Sequence, residues 1–97
     1  MAVGDVYSGL QSVAAGSFLN IQPPAGTEAV ITNIYYGGKV EVYFTDGTNS
    51  VLVDSDTAAG SMQGRCFHVT NTLYLQVKNA DTAAKLIGFD GVITKQT

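Results

Sequence analysis

Turn signals recur along this chain at short, fairly even intervals. Pro23-Pro24-Ala25-Gly26, Gly37-Gly38, Asp46-Gly47, Asn71-Thr72 and Asp90-Gly91 punctuate it, and eleven glycines are spread over 97 residues. Interior glycine costs a helix about 1 kcal/mol relative to alanine, and no window carries apolar residues at i, i+3, i+4, i+7 behind a cap. Eleven valines, ten threonines and nine aromatics instead favour the pleated, half-buried surface of a strand. Short strands between evenly spaced turns predict an all-β chain, a sandwich or a barrel.

Eight strands can be placed. Residues 10–14 and 17–22 come first, and the proline pair ends the second because proline cannot donate to a ladder. Residues 28–36 form a long strand, and Gly37-Gly38 is read as a tight hairpin whose two positions take φ > 0. Residues 39–45 put Val40, Val42 and Phe44 inward and Glu41, Tyr43 and Thr45 outward, and Asp46-Gly47 is a second tight turn. Residues 50–54 come next, then a patternless loop over 54–64. Residues 65–70 and 73–79 are strands, with Leu73, Leu75 and Val77 inward and Tyr74, Gln76 and Lys78 outward. Residues 85–89 and 91–95 close the chain around a bulge or turn at Asp90-Gly91. The expected fold is one antiparallel β-sandwich, jelly-roll-like, over residues 10–97, with residues 1–9 as an N-terminal arm.

Residues 28–36 pose a difficulty. Strict alternation puts Ala29, Ile31, Asn33 and Tyr35 on one face and Val30, Thr32, Ile34 and Tyr36 on the other, and both faces are largely apolar. The region 86–93 behaves alike, with Leu86 and Val92 in one register and Ile87, Phe89 and Ile93 in the other. A second apolar face needs a cover. Either a neighbouring subunit supplies it or the chain's own 54–64 loop does.

Charge is sparse. Charged residues make up 13% of the chain against 45% hydrophobic, and the formal net charge is −3. Average soluble domains carry about a quarter charged residues, so part of this surface is expected to be covered. Five cations (Lys39, Arg65, Lys78, Lys85, Lys95) make no stripe for a nucleic-acid backbone. The N-terminus has neither the basic n-region nor the apolar run of a signal peptide, and no stretch approaches a membrane span. Cys66 is the single cysteine, so an intrachain disulfide cannot form. The expectation is a protein made in a cytoplasm and stabilised by packing or oligomerisation.

No constellation of chemistry-bearing residues is complete. Cys66 and His68 stand at i, i+2 and lack the further ligands that zinc needs, so the expected reading is a structural pair with a buried, inert thiol. The same two residues lack the third group that would orient a nucleophile–base pair. "DSDTAAG" begins like a calcium loop, but the fifth and sixth positions are Ala58 and Ala59 instead of an acid or amide and a glycine. A phosphate-binding loop has no helix to open. The chain is therefore expected to be no enzyme and to hold no metal or cofactor. Sugar stacking would use exposed aromatics, yet tryptophan is absent; Tyr36, Tyr43 and Tyr74, read as outward, fit a protein interface better.

The segments "SFLNIQPPAGTEAVITNIYYGGKVEVYFTDG" and "FHVTNTLYLQVKNADTAAKLIGFDGVITK" together resemble the small tailed-phage capsid decoration (cement) proteins and related head or appendage proteins. The likeness lies in the "IQPPAG" turn, the apolar strand, the "DG" hairpin, "LYLQVKN" and the closing "IGFDGV", over roughly residues 17–95. It implies a small β-sandwich assembled in the host cytoplasm into the virion, often trimeric, without cofactor or reaction. The partners it implies are further copies of the chain and the phage major capsid protein. On this expectation Val3, Val6 and Tyr7 of the arm anchor the protein to the coat, and Tyr36, Tyr43 and Tyr74 add interface surface. The alternative expectation is a receptor- or glycan-binding domain of a tail fibre or head appendage.

Overall fold

The computed structural model describes residues 2–97 and contains nine strands and no helix among them. They are β1 (Val6–Val13), β2 (Phe18–Ile21), β3 (Thr27–Tyr36), β4 (Val40–Thr45), β5 (Ser50–Asp56), β6 (Gly60–Met62), β7 (Phe67–Thr70), β8 (Tyr74–Asn79) and β9 (Lys85–Gln96). All pairings are antiparallel, and they form two sheets. The first runs β1-β9-β3 and ends on β6 and β7, which share the free side of β3: β6 lies beside Ile34–Tyr36 and β7 beside Glu28–Ile31. The second runs β2-β8-β4-β5. With β6 and β7 counted as one interrupted strand, this is the double Greek-key order of a jelly roll. The expected sandwich is present; the strand expected over 65–70 is β7, and β6 is an additional short strand inside the segment 54–64, expected as a loop.

Among the described residues only β4 and β5 are joined as a hairpin; the other links between β1 and β6, and between β7 and β9, cross from sheet to sheet. This corrects the reading of Gly37-Gly38. Neither glycine has positive φ, and β3 and β4 lie in different sheets. The pair is a crossover, and the glycine at 38 admits close packing: a Cβ there would sit 2.6 Å from Asp81 Oδ2 and 2.9 Å from Lys85 Cγ. Asp46-Gly47 is the tight turn expected, with Gly47 at φ +95°. The Asp46 carboxylate accepts the Thr48 and Asn49 N–H groups, and these bonds hold its pKa below the ordinary carboxylate value. At the proline pair, Thr27 N donates to Pro24 O and Gly26 takes φ +83°, as a type II turn requires.

The two-faced strand has a local explanation. Ile31 pairs with Gly91 and Asn33 with Asp90, which leaves Thr32 as an extra residue, a β-bulge. The bulge shifts the alternation by one, so Ala29 and Ile31 before it and Ile34 and Tyr36 after it all point into the core. Glu28, Val30, Asn33 and Tyr35 are left outside, half-buried or exposed. β9 is one continuous strand and not two. The irregularity at Asp90-Gly91 is real, but the inserted residue belongs to β3.

The core between the sheets includes Ile21, Ile31, Ile34, Val40, Val42, Val69, Leu75, Val77, Ile87 and Ile93, each essentially inaccessible. Each such side chain contributes about 1.5–3 kcal/mol over its exposed state. Asn79 lies among them, with its Nδ2 donating to Val13 O (2.8 Å) and Ala83 O (2.9 Å) and its Oδ1 accepting Asp81 N (2.9 Å). Because Val13 belongs to the first sheet and Asn79 to the second, this amide ties the layers together.

The 54–64 segment is largely ordered. β5 extends to Asp56, and β6 pairs with the end of β3. It covers the edge of β3 beside Ile34–Tyr36 and not an outer sheet face. The bulge also holds the segment between β6 and β7: Thr32 O accepts Arg65 N, Asn33 Oδ1 accepts Gly64 N, and the Arg65 guanidinium meets Asp54 of β5 at 3.1 Å.

Residues 2–9 lie along the first sheet. Met1 lies outside the described residues, Gly4 N and Asp5 O bond Ile93, and β1 begins at Val6 and runs along β9. Cys66 is exposed rather than buried, since β7 starts one residue later, and His68 on β7 is exposed too.

Candidate interaction surface

Two surfaces stand out because they leave large apolar side chains in water. The first is the outer face of the β1-β9-β3 sheet. Val6 on β1, Val92 on β9 and Val30 on β3 are directly opposite one another and form one row. Two positions along, Ser8 faces Asp90, and two further Leu10 and Tyr35 flank Gly88. Leu86 opposite Ser12 ends the face. Val6 and Leu10 are each 70% exposed, and Leu86, Val92 and Tyr35 are exposed as well. Monomers rarely gather so many apolar side chains on one open face.

Asp90 is the polar centre of this face. Its Oδ2 accepts Tyr35 Oη at 2.7 Å, and its Oδ1 accepts Asn33 Nδ2 at 2.7 Å and Thr32 Oγ1 at 3.3 Å. The Tyr35 and Asn33 bonds hold its carboxyl below the usual carboxylate range. The bulge builds this cluster by bringing Thr32 and Asn33 together at one position of the ladder.

The second surface is β5, the last strand of its sheet. Val51, Leu52 and Val53 are all exposed, and the outer edge of the strand carries no pairing partner among the described residues. An open edge with three consecutive apolar residues and neither lysine nor proline is a template for another strand. Another bulge, between the pairs Val42–Asp54 and Tyr43–Leu52, leaves Val53 unopposed. β5 lies across the sandwich from the edge where β1 and β2 meet, so the two surfaces are separate.

The six expected interface residues do not form one site. Val3 and Val6 are exposed, and Val6 belongs to the outer face just described. Tyr7 turns inward and packs edge-on against Phe89, with ring centroids 5.3 Å apart. Tyr36 is not outward: the Thr32 bulge carries it into the core, where it is 6% exposed and donates to Asp56 Oδ2 at 2.7 Å. Burial first, and then this bond, push its pKa up to about 12. Tyr74 keeps the expected register but is buried, because the 46–49 turn curls over the end of β8; a Cβ on Gly47 would lie 3.6 Å from its hydroxyl. Thr45, opposite Tyr74, is buried for the same reason, and its Oγ1 donates to Asn49 O and accepts Gly47 N. Tyr43 is half-buried on the outer face of the other sheet, beside Phe18 and bonded to Glu41. Leu73, read as inward, is exposed just ahead of β8.

Sequence reasoning names none of Leu10, Tyr35, Leu86, Asp90, Val92 and Val51–Val53 as interface residues, although it finds Leu86 and Val92 on a second apolar register that needs a cover. A signal exists for Leu86 and Val92, whose register clashes with that of Ile87, Phe89 and Ile93. Among the described residues no three of His, Cys, Asp and Glu come together as a metal site would require. No protein-family model and no curated protein sequence matches the chain.

Proposed function

We propose that this protein is a structural module of a phage virion, a capsid decoration protein that works by covering surface and not by catalysis. The observation that carries the reading is the pair of separate apolar surfaces on one charge-poor sandwich. Two surfaces suit two attachments. The β5 edge pairs with a different strand edge of the next copy, a head-to-tail contact, and three such contacts close a trimer. The outer face carrying Val6, Leu10, Leu86 and Val92 lies against the coat protein. Multivalent seating of a trimer makes three modest contacts strong together. The sequence resemblance to cement proteins points the same way.

A ligand that binds only the assembled shell stabilises it by RT ln(1 + [L]/Kd), about 2.7 kcal/mol per site at a hundredfold excess over Kd. The test compares heads that carry the protein with heads from which it is omitted, by the temperature at which DNA escapes. Adding back wild-type protein restores the higher temperature, and protein with Leu10→Glu and Leu86→Glu does not. Equal release temperatures with and without the protein, alongside binding to cells or glycans, would replace this reading with that of a receptor-binding appendage.

A further inference from the structure

The outer face of the first sheet has a slot at its centre. Gly88 on β9 is directly opposite Leu10 on one side and Tyr35 on the other. Two strand spacings, about 9.5 Å, separate the flanking backbones. With no side chain at 88, Leu10 leans over the glycine backbone, and the groove lies between that leucine and Tyr35. Ser8, Leu10, Tyr35, Gly88 and Asp90 line an open groove of about 520 Å³ there. A Cβ on Gly88 would sit 2.9 Å from Gly9 O and from Leu10 Cδ1, so any side chain at that position would displace the leucine wall.

One end of the slot is a carboxylate whose charge is not met. Asp90 is bonded by Tyr35, Asn33 and Thr32, all neutral donors. Among the described residues the ion pairs are Arg65–Asp54 and Lys95–Glu28, and neither reaches it. In water this charge is harmless. Under a partner that excludes water it is not, because a covered carboxylate without a cation is strongly unfavourable. A protein that covers Val6, Leu10, Leu86 and Val92 therefore binds best when it delivers a positive charge to Asp90.

We propose that the slot over Gly88 receives an arginine side chain of the partner protein. The alkyl stem lies between Leu10 and Tyr35, as long cationic side chains lie along apolar surface. The planar guanidinium fits against the tyrosine ring, which an ammonium does less well. Each carboxylate oxygen has about two acceptor sites. Oδ1 accepts Asn33 and shares the single Thr32 hydroxyl proton with the Asp90 carbonyl, whereas Oδ2 accepts only Tyr35. One guanidinium N–H goes to Asp90 Oδ2 and a second to the hydroxyl of Ser8, the residue opposite Asp90. The inference rests on the outer face being an interface, but its test needs no capsid.

The full chain, labelled with ¹⁵N, is titrated with N-acetyl-arginine amide and followed by NMR. The amides of Tyr35, Gly88 and Asp90 should shift saturably, with a Kd on the order of 10 mM. N-acetyl-citrulline amide, of the same shape without the charge, should leave them in place. Asp90→Asn should weaken binding at least about tenfold. Leu10→Ala removes a wall residue that is 70% exposed, so the fold survives, and should weaken binding a few-fold. Equal shifts from citrulline, no saturable shift at all, or shifts from methyl glycosides but not from arginine would each overturn the proposal. Arginine binding together with unchanged capsid stability would keep the slot and remove the decoration role.

Discussion

A Cβ on Gly91 would run into the carbonyl oxygen of Val30. Gly91 is paired with Ile31, one residue before the bulge, so the backbone of β3 crowds β9 where its extra residue begins. The bulge that sorts the apolar residues of β3 therefore depends on a glycine on the strand beside it.

Gly91→Ala should destabilise the protein by about 2–4 kcal/mol, because the clash is with backbone that cannot move aside without breaking the ladder. For a domain of this size that lowers the melting temperature by about 10 °C or more. Gly64→Ala is the control: its φ is +69° but a Cβ would meet nothing within 4 Å, so the cost should stay near 1 kcal/mol. Thermal unfolding followed by circular dichroism separates the two.

Asn79→Ala should cost about 2–4 kcal/mol. It leaves Val13 O and Ala83 O without their donor and Asp81 N without its acceptor, at a site that is fully buried. Urea unfolding at neutral pH measures it. Asn79→Leu, of similar volume, should be no better, because the buried Val13 O still loses its donor.

Stability should fall at both ends of the pH scale. Asp46, Asp56, Asp81 and Asp90 all have carboxyls held below their ordinary value by hydrogen bonds. A lowered folded-state pKa means that the contribution is present above the unfolded value, near 4, and is lost as pH drops through the folded value. Tyr36 has the opposite sign. Its pKa is raised to about 12, so its contribution is complete below the unfolded value near 10 and disappears as pH rises toward 12. Tyr36→Phe should make the alkaline limb of the melting-temperature profile shallower, with Tyr7, Tyr35 and Tyr43, whose pKa values are also raised, keeping part of it, and should leave the acid limb formed by Asp46, Asp81 and Asp90.

Cys66 should react stoichiometrically with a maleimide in the folded protein, since it is exposed. Protection that is lifted only by denaturant would show that the segment before β7 is packed differently.

Local chemistry makes part of this fold readable. Asp46-Gly47 and Pro23-Pro24-Ala25-Gly26 are turns because their residues can do little else, and Val40, Val42, Leu75 and Val77 alternate cleanly into the core. The outer face is hidden by Thr32. A bulge adds one residue without changing composition, so strict alternation places Tyr36 outward and makes both faces of β3 apolar. Gly37-Gly38 looks like a hairpin because glycine pairs serve two purposes, and here the purpose is close approach to Asp81 and Lys85. Nothing in the stretch around Asn79 announces that its amide joins two sheets, because its partner Val13 is 66 residues away. The slot over Gly88 depends on the β1-β9-β3 order, and strand order is not written in any one segment.

The central claim is that the open apolar surfaces are interfaces, and the solution mass of the protein tests it most directly. Multi-angle light scattering of the wild type at high micromolar concentration should give a mass near three chains of 10.2 kDa. Leu52→Lys, which places a charge on the open edge of β5, should give a single folded chain. A wild type that stays at one chain across the whole concentration range would contradict the account, because the β5 edge would then be stable in water without a cover.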